Sequence, residues 1–98
     1  MLRPFRGRRG GNQIISGTTT SQSRSLDPNA QSVRVFNPSG QIAYVRIGTG
    51  AQTATSGDTP VGTGTSLIFS KADGEDTIAV VLAASTGNVH VQDGEGGL

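Results

Sequence analysis

The sequence contains no cysteine and only one histidine, His90. Without cysteine the chain can form neither a disulfide nor a thiolate metal site, and a lone histidine cannot build an imidazole metal site. Apolar residues make up 33% of the 98 positions, which leaves room for one domain with a small core. Small cores without disulfides or metals usually depend on partner subunits, so we expect a homo-oligomer.

The sequence also lacks long apolar stretches. No segment approaches the roughly 20 apolar residues of a membrane span. The N-terminal residues are basic, but no apolar run of signal-peptide length follows them directly. We therefore expect no membrane partner and no secretory signal, and a protein that is made in the cytoplasm.

Acidic residues are missing from the first 26 positions, which carry five arginines. Such asymmetry is typical of a basic arm on a neutral or acidic body. Residues 1–11 are rich in arginine and glycine and show no periodicity, so we predict a flexible basic N-terminal arm. It is either a solvated tail or an anchor whose guanidinium groups pair with the carboxylates or phosphates of a partner. The anchor would comprise Leu2, Arg3, Phe5, Arg6, Arg8 and Arg9.

Alternation of apolar and polar residues is clearest in residues 32–47. The valines at 33 and 35 and the apolar residues at 43, 45 and 47 have the period of two that strands buried on one face show. Between the two groups, Asn37, Pro38 and Gly40 suit a type I turn. We therefore predict a central hairpin of two strands.

Further strand patterns are separated by turn residues, and Asp73-Gly74 predicts a second hairpin. These patterns lie near residues 13–16, 19–25, 52–55, 65–70, 77–84 and 89–91. Six to eight short strands without a helix pattern predict an all-β domain, either a small antiparallel β-sandwich or a small barrel. The expected layout is a basic arm at 1–11, a polar extended segment at 12–30, the β-domain at 31–93 and a flexible tail at 94–98.

Residues 77–84 form the one continuous apolar run. Its β-branched residues favour a strand that is apolar on both faces. We expect Ile78, Val80 and Leu82 to face the core. The opposite face would contact another subunit, and this predicted interface comprises Ala79, Val81, Ala83 and Tyr44.

No catalytic or metal-binding pattern is present in the sequence. His90 has no accompanying motif, and the acids around Gly74 lack the ligand count of a calcium loop. The glycines of residues 48–64 lack the Gly-Lys-Ser/Thr and the helix of a phosphate-binding loop, so we interpret them as turn residues. The loop they form is long, and long loops in small domains are often functional. We therefore expect no enzyme activity, no metal and no cofactor.

Two binding functions remain open from the residues alone. The Arg/Gly segment resembles segments that bind single-stranded nucleic acid, but only four arginines and few aromatic residues accompany it. The sequence therefore favours a nucleic-acid partner less than a protein partner. The long loop could instead serve a domain that binds a glycan or another protein.

Residues 32–97 resemble small structural proteins of tailed bacteriophages, a group that includes the capsid decoration (cement) proteins. The resemblance is carried by Val-Arg-Val-Phe-Asn at 33–37, Ala-Tyr-Val-Arg-Ile-Gly-Thr-Gly-Ala-Gln-Thr-Ala-Thr at 43–55, Asp-Thr-Pro-Val at 58–61, Gly-Thr-Ser at 64–66 and Val-His-Val-Gln-Asp-Gly-Glu-Gly at 89–96. It implies a jelly-roll-like sandwich, often a trimer, that sits on the virion surface where major capsid subunits meet. The implied function is stabilisation of the capsid lattice, and a neck, tail or fibre component is the alternative.

Overall fold

The computed structural model of the chain describes residues 4–96, apart from the side chains at positions 9 and 10. Within these residues the regular structure consists of eight β-strands and no helix. The strands are β1 (Arg6–Gly17), β2 (Gln22–Ser25), β3 (Ser32–Asn37), β4 (Ala43–Gly48), β5 (Thr59–Val61), β6 (Thr65–Ser70), β7 (Thr77–Leu82) and β8 (Gly87–Glu95). The predicted all-β fold is confirmed.

The strands form two four-stranded antiparallel sheets. One sheet has the order β1-β8-β3-β6, and the other has the order β2-β7-β4-β5. Strand β1 pairs with β8, β2 with β7, β3 with β6 and β4 with β5, so the pairs are nested around the β4–β5 connection. A long antiparallel ribbon that is rolled up in this way is a jelly roll, and the predicted β-sandwich is therefore confirmed.

The predicted hairpins at Asn37–Gly40 and Asp73-Gly74 are wrong, because each turn leads from one sheet into the other. Strand β3 belongs to the first sheet and β4 to the second, and the same holds for β6 and β7. The chain bends after β3, and the buried Asn37 side chain accepts a hydrogen bond from the Ser39 N–H there. Its Nδ2 donates to the carbonyls of Gln41 and Val61, which ties the crossing to β5.

The core lies between the two sheets and is made of small and medium aliphatic side chains. Its predicted inward faces are confirmed for β3, β4 and β7, and Ile47 packs at the margin. The core residues of these strands fall at alternate positions, as expected of the side chains that share one face of a strand. The core comprises Ile15, Leu26, Val33, Val35, Ala43, Val45, Val61, Ile78, Val80, Leu82, Val89 and Val91.

The N-terminal segment is part of the sandwich. For residues 6–11 the prediction of a flexible arm is wrong, because they begin β1 and lie against β8. The edge of β8 supplies hydrogen-bonding partners, so ordering does not depend on an apolar pattern in the segment itself. The predicted boundaries at 11/12 and 30/31 have no counterpart, and residues 94 and 95 belong to β8 instead of a tail.

The loop between β4 and β5 lies over the outer face of the second sheet. Arg46 Nη1 donates to the Thr53 carbonyl at 3.4 Å, and the Ala54 N–H donates to Ser21 Oγ at 2.9 Å. Ala79, the cross-strand neighbour of Arg46, is fully buried there. Residues 52–55 belong to this loop and form no strand, so the strand predicted there is wrong. The edge strand β5 begins a few residues later, at Thr59.

Candidate interaction surface at the N-terminal strand

The first half of β1 bulges around a buried carboxylate. Four residues of β1, from Arg8 to Gly11, stand opposite the single residue Asp93 of β8. The Asp93 side chain is 0% exposed. It accepts hydrogen bonds from Arg8 Nε at 2.7 Å, from Arg8 Nη2 at 3.2 Å and from the Asp27 N–H at 2.6 Å. Such a two-bond guanidinium–carboxylate contact fixes both groups in orientation as well as in distance.

Two glycines allow the backbone to approach this ion pair. A Cβ at Gly11 would lie 2.6 Å from Asp93 Oδ1 and 3.0 Å from the Arg8 carbonyl. A Cβ at Gly94 would collide with the Arg6 carbonyl on the neighbouring strand. Gly11 therefore permits a tight bulge in an ordered strand, and Gly94 permits the close approach of β1 and β8.

The structure separates the predicted anchor residues into three groups. Arg8 is held by Asp93, which raises the pKa of Arg8 above its ordinary value through the hydrogen bond and the opposite charge. Arg6 is exposed, and Phe5 beside it is half-buried. Leu2, Arg3 and the side chain of Arg9 lie outside the described residues. The Arg8 guanidinium already has an internal partner, so its role as an anchor for an external carboxylate stays a prediction.

A shallow groove runs between β1 and the turn after β2. Its volume is about 450 Å³. Charged residues of both signs line it together with uncharged ones: Arg6, Arg8, Asp27, Glu95, Asn29, Gly7, Ala30 and Gly94. A second depression of about 340 Å³ adjoins it and is lined by Pro4, Phe5, Arg6, Glu95 and Gly96. Arg6 borders both, so one exposed guanidinium lies at the centre of this surface.

The predicted subunit interface is only partly on the surface. Ala79 is fully buried within the single chain, so it cannot contact a partner directly. Tyr44 and Val81 are cross-strand neighbours and half-buried, and Ala83 is exposed. The contact of another subunit with these three residues stays a prediction.

His90 and Glu75 each have a local structural partner. The His90 ring lies 6.1 Å from the Phe36 ring on the outer face of the first sheet, while Asp93 points into the interior. Glu75 Oε1 accepts from the Ala72 N–H at 2.7 Å. In the described part of the chain no three His, Asp or Glu side chains are grouped so that they could hold a metal ion. Residues 4–96 also contain no helix able to cross a membrane.

Asp93 is the site residue that the sequence interpretation missed. It shares the parity of Val89 and Val91, both of which are fully buried. An acid in phase with the inward residues of a strand is a signal for a buried charge, and a buried charge requires a partner. This pattern does not identify the cationic partner of Asp93, because Arg8 lies 85 positions away in the sequence.

Comparisons with protein-family profiles, curated proteins and solved structures find no match for this chain. A fold of this class serves many functions, so function has to be argued from the surfaces of the molecule. The features that distinguish this chain are the exposed Arg6 beside its two depressions and the rigid, ion-paired strand that carries it.

Proposed function

We propose that this chain is a non-enzymatic structural protein that binds and stabilises the assembled capsid lattice of a tailed bacteriophage. The observation that carries the proposal is the nested order of the eight strands, since the jelly roll is the architecture of many viral capsid domains. The resemblance of residues 32–97 to phage decoration proteins supports the same function. Fold alone does not define function, so the proposal also depends on a binding surface.

The anchor in this proposal is the exposed corner formed by Phe5, Arg6 and Glu95. Arg6 offers a guanidinium to a carboxylate of the capsid surface, and Phe5 offers apolar area next to it. Because β1 is already paired with β8, less conformational freedom is lost on docking than with a disordered arm. Asp93 and Arg8 hold this strand in place without contacting the partner.

Stabilisation of the lattice would follow from bridging. A protein that binds only assembled subunits shifts the equilibrium toward assembly by mass action. Several copies, or one oligomer with several anchors, bind an ordered lattice more tightly than a free capsid subunit. We therefore propose binding as a homo-oligomer to the major capsid protein, with the virion surface as the location.

The alternative is a neck, tail or fibre domain that binds a glycan or another protein. The groove supports it, because Arg6, Asp27, Asn29 and Glu95 provide donors and acceptors that suit sugar hydroxyls. Lectin domains also use the jelly roll. A glycan-binding protein would retain its affinity in the absence of any capsid.

Cosedimentation with purified heads of the encoding phage tests the proposal. Arg6→Ala should weaken binding about tenfold or more, since a hydrogen bond to a charged group contributes about 1.5–3 kcal/mol. Arg46→Ala is the matched control, because it removes the same charge from the second sheet. Equal loss in both variants would contradict the assigned anchor, and absence of binding by the unaltered chain would contradict the function itself.

A further inference from the structure

The two sheets have four edge strands, and three of these edges are protected against pairing with another strand. Strand β1 carries the bulge and the ion pair of Arg8. Strand β2 has only four residues and includes Arg24. Strand β5 has three residues, of which Pro60 cannot donate a backbone hydrogen bond. Bulges, charges, proline and short length are the features that keep natural edge strands single.

The fourth edge, β6, has none of these features. Its sequence, Thr-Ser-Leu-Ile-Phe-Ser, contains no charge, proline or glycine over six residues. It pairs with β3 in unbroken register from Ser70 to Thr65, so it has no bulge. Leu67 is 41% exposed. Alternate residues direct their N–H and C=O groups away from β3, which leaves a straight edge with free hydrogen-bonding groups.

We infer that β6 is the self-association edge of this protein and pairs antiparallel with β6 of a second copy. A two-fold axis perpendicular to the sheet would join the two β1-β8-β3-β6 sheets into one eight-stranded sheet. This two-fold axis would place the hydrophobic cores of both copies on the same side of the joined sheet.

The neutral sequence of β6 argues for a second copy as the occupant. In an isologous strand pair both strands carry the same side chains, so a charge close to the two-fold axis would lie near the like charge of the second copy. The edges that carry arginine, β1 and β2, would bring such charges together, whereas β6 would not. Pairing of β6 with β1 of another copy would form an open chain, and the bulge of β1 opposes it.

The side chains of β6 are complementary to themselves in one register. Centring the pair on Ile68 places Leu67 opposite Phe69 of the second copy on the inner face. The two Ile68 side chains then meet on the outer face, and each Ser66 faces a Ser70. Leu67 and Phe69 already lie on the inner face, as partners of Val35 and Val33. The apolar layer would therefore continue across the dimer.

The proposed dimer has two-fold symmetry, whereas the resemblance to decoration proteins implies a trimer with three-fold symmetry. About six additional backbone hydrogen bonds would form along strands of this length. The buried area is modest because the strands are short, so we expect a reversible, concentration-dependent dimer.

Sedimentation equilibrium of the full chain over a wide concentration range tests the inference without any capsid. We expect the unaltered protein to approach twice the chain mass and Ile68→Lys to remain at the chain mass. Ile14→Lys is the matched control, since Ile14 is 53% exposed on β1 of the same sheet and should leave the dimer intact. Circular dichroism of each variant establishes that it is folded.

Amide hydrogen exchange of the unaltered protein provides a second test that needs no variant. The outward amides of β6 should become protected as the concentration rises, while those of β1 should not change. A monomer at all concentrations, a trimer, or a dimer that Ile68→Lys leaves intact would each overturn the inference. None of these results depends on whether the protein binds heads.

Discussion

The guanidinium of Arg8 and the carboxylate of Asp93 lie 85 positions apart in the sequence and form a two-bond ion pair across β1 and β8. Asp93 is fully buried, whereas the Arg8 side chain is 44% exposed. The pair thus links the first part of β1 to the last part of β8. A third hydrogen bond, from the Asp27 N–H, attaches the turn after β2 to the same carboxylate.

Asp93→Asn should destabilise the fold. The amide replaces one charged acceptor of Arg8 with a donor, and a lost hydrogen bond to a charged group costs about 1.5–3 kcal/mol. Urea unfolding measures the change in the free energy of unfolding. Glu95→Gln is the control, because it makes the same chemical change at an exposed position and should stay within about 0.5 kcal/mol. Equal stability of both variants would contradict the role of the buried pair.

Gly11→Ala should also destabilise the fold, since the new Cβ would lie 2.6 Å from Asp93 Oδ1. Overpacking of this kind costs about 1–3 kcal/mol. Gly40→Ala is the matched control, because nothing lies within 4 Å of its Cβ position. Thermal unfolding should show a lower Tm for the first variant and little change for the second. A pair of equal Tm values would show that the bulge is not as tight as described.

Asn37→Ala should weaken the crossing from β3 to β4. The buried amide donates to the Gln41 and Val61 carbonyls at 2.7 and 2.9 Å, and its oxygen accepts from Ser39. Buried groups left without partners cost about 1–3 kcal/mol each, so we expect a loss of at least about 2 kcal/mol. Asn88→Ala, at an exposed position of β8, is the control. Unfolding in urea that is unchanged by Asn37→Ala would refute this assignment.

Asp76 should make the stability of the fold depend on pH in the acidic range. Its carboxylate accepts from the Gly50 N–H and from Thr77 Oγ1, both at 3.1 Å, and these bonds lower the pKa of Asp76. A pKa lower in the folded than in the unfolded state means that the unfolded chain binds more protons. The stabilisation is therefore complete above the unfolded value of about 3.9 and disappears as the pH falls through the folded value.

The variant Asp76→Ala tests this pH dependence. Its Tm should fall below that of the unaltered chain at pH 6, and the two should converge as the pH falls below about 4. Asp73→Ala, in the same turn and exposed, should show no such convergence. A gap for Asp76→Ala that is constant from pH 6 to pH 2 would contradict the assignment.

The strands could be predicted from the sequence where one face is apolar. Residues 33–35, 43–47 and 78–82 alternate or are continuously apolar, and the structure places β3, β4 and β7 there. Their inward residues were predicted because burial on one face requires a period of two. Residues 6–11 have no such period, and their strand depends on pairing with β8 and on the ion pair of Arg8 with Asp93.

The arrangement of the strands could not be predicted from turn chemistry. Asn37 ends β3 just before a bend, and Gly74 occupies a turn with a φ of +90°. A turn residue, however, sets only the local direction of the chain, so it does not distinguish a hairpin from a crossing between two sheets. The sheet order of a jelly roll arises from the packing of all eight strands. The surface around Arg6 likewise requires the fold, because the residues from 94 to 96 reach it only through the register of β8 with β1.

If the chain has the proposed function, it stabilises an assembled capsid lattice. The most direct test is the thermal disruption temperature of purified heads of the phage that encodes the chain under this proposal, measured by calorimetry with and without saturating protein. We expect the temperature to rise with the unaltered chain and to rise less with Arg6→Ala at the same concentration. Bound protein that leaves the disruption temperature unchanged would contradict stabilisation, and absence of binding would contradict the account as a whole.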